Sequence, residues 1–278
     1  MIRALGRNAM VKNLLDHLRA GSSAVVAGGP RMGKSTFLRQ IETAADGVFH
    51  PVSIDLAAEP HVDLAQRLPD EGGPSSVPPA IFLIDGCEQL LPDPLPFLEQ
   101  MHRSALRPGT PPAGTVWSGD PHWGEWAMAN RPAFNGPTRY YPLIVLPPKE
   151  ARLFLKRHWS ADVPSSELEW VVELSGGHPY LLAQMVEGPK RDFDEFFAKL
   201  WKAADSQAER HILAQLIEAA TWVPLHELKD ETGANAPKTL LDRLAVSGLI
   251  NRTLVDGAAV VALVSPLFAD WARRTGYT

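Results

Sequence analysis

Ser23-Ala24-Val25-Val26-Ala27-Gly28-Gly29-Pro30-Arg31-Met32-Gly33-Lys34-Ser35-Thr36 is an apolar run that stops at glycine and resumes as a helix. It fits the spacing G-x-x-x-x-G-K-[ST] without a gap, with Gly28, Gly33, Lys34 and Ser35 in the four fixed places. Glycines let backbone N–H groups curl around a polyphosphate, while a lysine at this place reaches the outer phosphates and a serine hydroxyl can ligate Mg²⁺. The flanks support the match: residues 24–27 read as a buried strand and residues 34–43 as the amphipathic helix whose N-terminus the phosphates would meet. The whole stretch Gly28, Gly29, Pro30, Arg31, Met32, Gly33, Lys34, Ser35 and Thr36 is therefore the expected phosphate cradle.

A second signal lies downstream in Ala80-Ile81-Phe82-Leu83-Ile84-Asp85, a fully apolar strand that ends in a carboxylate. Such a run suits a central parallel strand buried on both faces, and an acid at its C-terminal end stands where open α/β sheets bind ligands. Paired with the glycine loop, Asp85 is expected to hold Mg²⁺ opposite Ser35. A second acid often follows directly in phosphohydrolases, but here that place is Gly86. Glu88 is the nearest carboxylate and the candidate for orienting an attacking water, with a solvated or helix-capping acid as the alternative. Cys87 reads as a small buried filler. Ser118 or Asp120, at the end of the strand expected at 114–120, either senses the γ phosphate or the attacking water, or simply begins a loop.

With 278 residues and 45% hydrophobic side chains the chain can fill more than one core. A net charge of -5 argues against a surface coated for nucleic acid. The single cysteine excludes an intrachain disulfide, no apolar leader opens the sequence and no run reaches the length of a membrane span, which together point to a reducing cytoplasm.

In chain order, a helix is expected at 10–19 and strands at 52–56, 80–85, 114–120 and 139–146, with the strand before the glycine loop making five. Helices lie between them, at 34–43, 62–68, 95–106 and 123–130, and residues 69–79 are a Pro/Gly/Ser loop. The sum is an α/β fold, a parallel five-stranded sheet in a three-layer sandwich. Beyond Pro148 the period is helical: 149–159, 166–174, 179–186 and 192–201. A final section has helices at 209–219, 225–231 and 238–247, then a hairpin of 249–253 and 259–264 turning at Asp256-Gly257, which reads as a winged helix closed by a helix at 265–274. The expected domains are 1–147 (α/β), 148–205 (helical) and 206–278 (winged helix). His178, between Gly177 and Pro179, reads as a helix-start hydrogen-bonding group before a catalytic one. Arg131 and Arg139 stand in a region where an arginine finger could lie, with plain surface arginines as the commoner outcome.

The order of these motifs resembles the STAND-type P-loop ATPases, AAA+ relatives, and among them the prokaryotic and archaeal ATPase branch. Gly6-Arg7 is similar to the family's N-terminal box that lies against the adenine. Gly29-Pro30-Arg31-Met32-Gly33-Lys34-Ser35 resembles its G-P-R-R-M-G-K-[ST] loop, Gly177-His178-Pro179 its G-x-P motif on the base, and Ser265-Pro266-Leu267-Phe268 falls where its winged helix closes. The resemblance implies binding of ATP or ADP with Mg²⁺, Lys34, Asp85 and Glu88 as catalytic candidates, and a switch that works with a partner chain as effector or sensor in bacterial defence or signalling, with homo-oligomers possible. It departs from the family in Asp85-Gly86, where an acid pair is usual, and in lacking a late M-H-D histidine. Two rival readings remain open: a DNA-associated initiator-like or transposition-helper ATPase, and a nucleotide-stabilised scaffold that does not hydrolyse. Lys238 and Arg243 are the only cations on the expected recognition helix, against Asp242, so charge favours a packing role for the winged helix over duplex binding.

Overall fold

A computed structural model of the chain describes residues 7–59, 78–105, 114–134, 136–159, 163–187 and 192–277. Gly6, the helix expected at 62–68 and most of the loop expected at 69–79 lie outside them. The chain divides into two compact units, one of Arg7–Ala27 with Lys34–Pro142, the other of Gly28–Gly33 with Leu143–Thr278.

The first unit holds α1 (Asn8–Arg19), β1 (Ser23–Ala27), α2 (Lys34–Ala45), β2 (His50–Asp55), β3 (Ala80–Asp85), α3 (Leu95–Ala105), β4 (Gly114–Gly119), α4 (Pro121–Ala129) and β5 (Thr138–Pro142). Its five strands form one parallel sheet in the order β2-β3-β4-β1-β5. Every residue of β1 is buried, as is β3 from Ala80 to Ile84, because helices cover both faces. Val25, Ile54, Phe82, Ile84 and Trp117 pack into one core with Leu98 of α3, Trp123 of α4 and Phe134. Strand alternation turns Leu83, Asp85, Val116 and Ser118 to the opposite face, where α1 and α2 touch each other and pack on the sheet. α1 lies there on the stripe Val11, Leu14, Leu15 and Leu18.

The second unit holds α5 (Pro148–His158), α6 (Ser165–Ser175), α7 (Pro179–Val186), α8 (Asp194–Lys202), α9 (Gln207–Ala219), β6 (Val223–Pro224), α10 (Lys238–Val246), β7 (Ile250–Val255), β8 (Ala258–Leu263) and α11 (Pro266–Thr275). Its three strands form an antiparallel sheet in the order β6-β8-β7. One core joins Leu181 of α7 and Phe196, Phe197 and Leu200 of α8 to α9, α10, β8 and α11.

Three expectations need correction. The last strand of the large sheet ends at Pro142, not Leu146, because its sole neighbour β1 ends at Ala27, the partner of Pro142. The Leu146 N–H instead donates to the Gly177 carbonyl at 2.9 Å. The helix expected at 225–231 is only a 3-10 turn, Leu225–Glu227. Downstream the Asp230 carboxylate accepts from the N–H groups of Thr232 (2.9 Å) and Ala234 (3.0 Å), which draws the backbone into a turn. The two-residue strand β6, paired with β8, was not expected at all.

Glu209 shows how α9 and α10 are joined. Its carboxylate is fully buried and accepts from Arg243 Nε at 2.6 Å and from Ser206 N at 3.0 Å and Oγ at 2.9 Å, while Ser206 Oγ accepts from the Glu209 N–H, completing a capping box. Glu209→Ala is expected to lower stability by about 2–4 kcal/mol, less than for a fully buried pair because Arg243 keeps contact with solvent. Urea unfolding measures it, and an unchanged midpoint would show that the pair contributes nothing.

Candidate functional site

Parallel pairing brings the C-terminal ends of β1, β4 and β3 to one edge of the first unit, Val26 level with Ser118 and Ile84 with Trp117. β1 and β3 flank β4, so their ends lie roughly 10 Å apart, two strand spacings. Lys34 and Ser35 open α2, followed by Thr36, and α2 packs on β3 and β4 on the face to which Asp85 and Ser118 alternate. Fully buried Ser118 donates its hydroxyl to Asp85 Oδ1 at 3.0 Å, and the Gly86 N–H donates to the same oxygen at 3.1 Å. Asp85 Oδ2 takes no hydrogen bond among the described residues. The carboxylate is thus oriented by one oxygen and open at the other.

Gly86 explains the missing second acid. It sits at φ +75°, and a Cβ there would lie 3.3 Å from the Ala57 nitrogen. A glutamate would be strained in this left-handed turn. The chain then makes a short 3-10 turn, Cys87–Leu90. Glu88 on this turn accepts the Asp120 N–H through Oε2 at 3.2 Å, and Asp120 caps α4 by accepting the Trp123 N–H at 2.8 Å. Glu88 therefore braces the β4–α4 connection, and Asp120 is a helix cap. Burial pushes the Cys87 thiol well above its usual range, with Glu88 and Asp85 adding to the rise, so it is protonated filler.

The donor set can be tested against a divalent ion. Among the described residues no group of three or more His, Cys, Asp or Glu side chains is placed to hold a metal. A single hydroxyl and a single carboxylate suit Mg²⁺, which keeps several waters and takes phosphate oxygens in place of a protein cage. Ser35 and Asp85 are donors of the kind that ion takes.

In the second unit, the loop Gly28–Gly33 packs on the end of α10. The Gly29 N–H donates to the Val246 carbonyl at 2.8 Å, and a Cβ on Gly29 would lie 1.9 Å from the Ser247 carbonyl oxygen, so only glycine fits. Met32 is fully buried, and a methyl on Gly248 would come within 2.9 Å of its Sδ and 3.4 Å of His178 Nε2. Arg31, exposed and held at φ +59°, places its guanidinium 5.5 Å from the centre of the Tyr180 ring. That left-handed backbone costs a non-glycine residue about 1–2 kcal/mol. Pro30 is half-buried beside it. The turn Gly177-His178-Pro179 precedes Tyr180: buried His178 caps α7 by accepting the Tyr180 N–H on Nδ1 at 3.2 Å, and Pro179 opens the helix. His178 is a cap.

Arg7 is buried at the start of α1, where its carbonyl accepts the Val11 N–H at 2.9 Å. Arg131 and Arg139 are exposed in the first unit. Sequence reasoning missed the contacts of the loop with Val246, Ser247 and Gly248, because nothing in 246–248 departs from an ordinary helix end.

Among solved structures, the chain is similar to a Walker-type ATPase of Pyrococcus abyssi, at a TM-score of 0.59 and 16% identity, over 98% of this chain and 97% of that one. It also matches the ADP form of the ORC2 protein of Aeropyrum pernix (TM-score 0.48, 12% identity, 100% and 95% covered) and RuvB of Thermotoga maritima (0.47, 19%, 98% and 95%). No protein-family model and no curated protein matches the sequence. The chain has the α/β fold of a P-loop ATPase.

Gly29→Ala is expected to force the loop and the end of α10 apart, costing about 1–3 kcal/mol as other overpacked sites do. Thermal denaturation reads this directly, and an unaltered melting temperature would deny that the contact is close.

Proposed function

We propose that the chain is an ATP-binding molecular switch of the STAND kind, in which nucleotide state sets how its parts pack or assemble and slow hydrolysis resets it. The observation that carries this reading is the allegiance of the glycine loop. Residues 28–33 contact the Gly-His-Pro turn region through Arg31 and Tyr180 and the end of α10 through Gly29 and Met32. A ligand held by this loop acts on the same backbone that these elements grip, and if it favours one packing of them over another it shifts that equilibrium.

In this reading Lys34 neutralises phosphate charge and the N–H groups of Gly33, Lys34, Ser35 and Thr36 donate to phosphate oxygens. Ser35 and Asp85 hold Mg²⁺, which supplies charge neutralisation when bound, and Ser118 keeps Asp85 turned toward it. Gly6 and Arg7 lie against the base, with Gly177 and Pro179 closing over it. We read 1–147 as the ATPase domain, 148–205 as its helical lid and 206–278 as a winged helix that packs the switch. A cytoplasmic protein partner, and self-assembly, complete the proposal. The DNA-associated alternative is weakened by the chemistry of α10, where Arg243 bonds to buried Glu209 and Asp242 pairs with Arg252. Few cations are left there for a phosphate backbone.

Lys34→Ala is expected to weaken ATP about 10- to 100-fold by calorimetry, the loss of a charge-assisted contact to phosphate, and an unchanged affinity would reject the assignment. A second reading, a scaffold that binds and does not hydrolyse, is favoured by two observations: Gly86 in the acid's place and Glu88 bonded to the Asp120 N–H. Glu88→Gln keeps an acceptor for that N–H and removes the charge. Under slow hydrolysis it should cut phosphate release about a hundredfold, whereas no release from either form would establish the scaffold.

A further inference from the structure

We propose that the second unit docks a partner protein by taking one of its basic amphipathic helices into a groove between α6, α8 and α11. The groove has a volume of about 820 Å³. Glu167, Trp170 and Leu174 line it from α6, and Leu267, Asp270 and Arg274 from α11. Both sets follow the spacing i, i+3, i+7, so each helix turns one continuous stripe to the opening. Such a stripe ordinarily meets another helix. Here the stripes face a cavity, with Phe193 and Met185 also in its wall.

Charge chooses among occupants. Among the described residues that line the groove, Glu167, Asp192, Asp194 and Asp270 carry negative charge and Arg274 positive. Arg274 is paired with Asp194 at 3.1 Å and Asp270 with Arg273 at 3.0 Å, so among the described residues the net charge of the rim comes from exposed Glu167 and from exposed Asp192, whose Oδ1 also accepts the Asp194 N–H at 2.8 Å. The rim therefore favours lysine and arginine and repels nucleic-acid phosphate. Trp170 is 54% exposed at the edge of this apolar floor, and a tryptophan there, open until a partner covers it, has the character of an interface hot spot.

Shape supports a helix as the guest. From Glu167 to Leu174 the stripe runs about 10 Å, two helical turns, which matches anchors at i, i+3, i+4 and i+7 of an incoming helix. The end of α6 is tied to its neighbours: Ser265 Oγ, at the start of α11, donates to the Leu174 carbonyl, and Asn251 Nδ2 donates to the Gly176 carbonyl at 2.9 Å. The guest is thus a helix with a leucine or aromatic stripe flanked by lysines and arginines. This gives chemistry to the partner proposed above without resting on nucleotide binding.

The test uses the full chain without nucleotide and two fluorescein-labelled helical peptides of roughly 15 residues. Both carry leucine and one tryptophan at i, i+3, i+4 and i+7; one has lysine at the remaining positions and the other glutamate. Fluorescence anisotropy should show the lysine peptide binding at least about tenfold more tightly, with Trp170→Ala and Glu167→Lys each weakening it about tenfold. Both substituted residues are exposed, and circular dichroism checks that the variants fold. Equal affinity for the two peptides, or indifference to Trp170→Ala, would overturn the proposal. So would a concentration-dependent dimer in sedimentation that Trp170→Ala dissolves, since the occupant would then be a second copy. Lys34→Ala should leave peptide binding unchanged, so failure here is separable from failure of the nucleotide reading.

Discussion

Parallel strands in a common register must finish at one edge of their sheet, and in this chain β1, β4 and β3 finish within about a residue of one another. That constraint gathers the chemistry. Two carboxylate-bearing turns, a buried serine and the opening of α2 are drawn together from stretches far apart in sequence. Because alternation also fixes sides, Asp85 and Ser118 turn to the face where α2 lies, and each hydrogen bond at the edge refines a placement the sheet has already made.

The glycine loop answers to a second set of demands. It continues the backbone of β1, yet its own close contacts are with the turn before α7 and the end of α10. Its composition follows from both. A small residue is required at position 29 by a neighbouring carbonyl, a buried thioether at position 32 fills the space beside Gly248, and a left-handed arginine lies near a tyrosine ring. The two-state behaviour proposed for this chain needs such a segment, since a loop indifferent to its surroundings could bind phosphate and transmit nothing.

Much of this was legible in the sequence because the relevant signals are local. The spacing of Gly28, Gly33, Lys34 and Ser35, the unbroken apolar run into Asp85 and the Asp256-Gly257 turn each declare themselves within a few residues. What was not legible depends on partners distant in sequence. The apolar residues after Pro142 look like more strand, but β1 has already ended. Residues 225–231 have helical composition, but the Asp230 side chain captures the backbone first. The brace from Glu88 to Asp120 joins groups whose neighbourhood only the fold creates. The stripe on α6 that faces the groove has the same periodicity as one that packs, so spacing alone does not tell an interface from a core.

The bond between Glu209 and Arg243 also bears on how this chain could change over time. Besides Lys238, Arg243 is the cation on α10 that a phosphate backbone would need. Here that cation is already married to a carboxylate with no access to water. A descendant that redirected it outward would strand the buried acid and loosen the helix pair in the same step, so a path to nucleic-acid recognition runs uphill unless position 209 changes first.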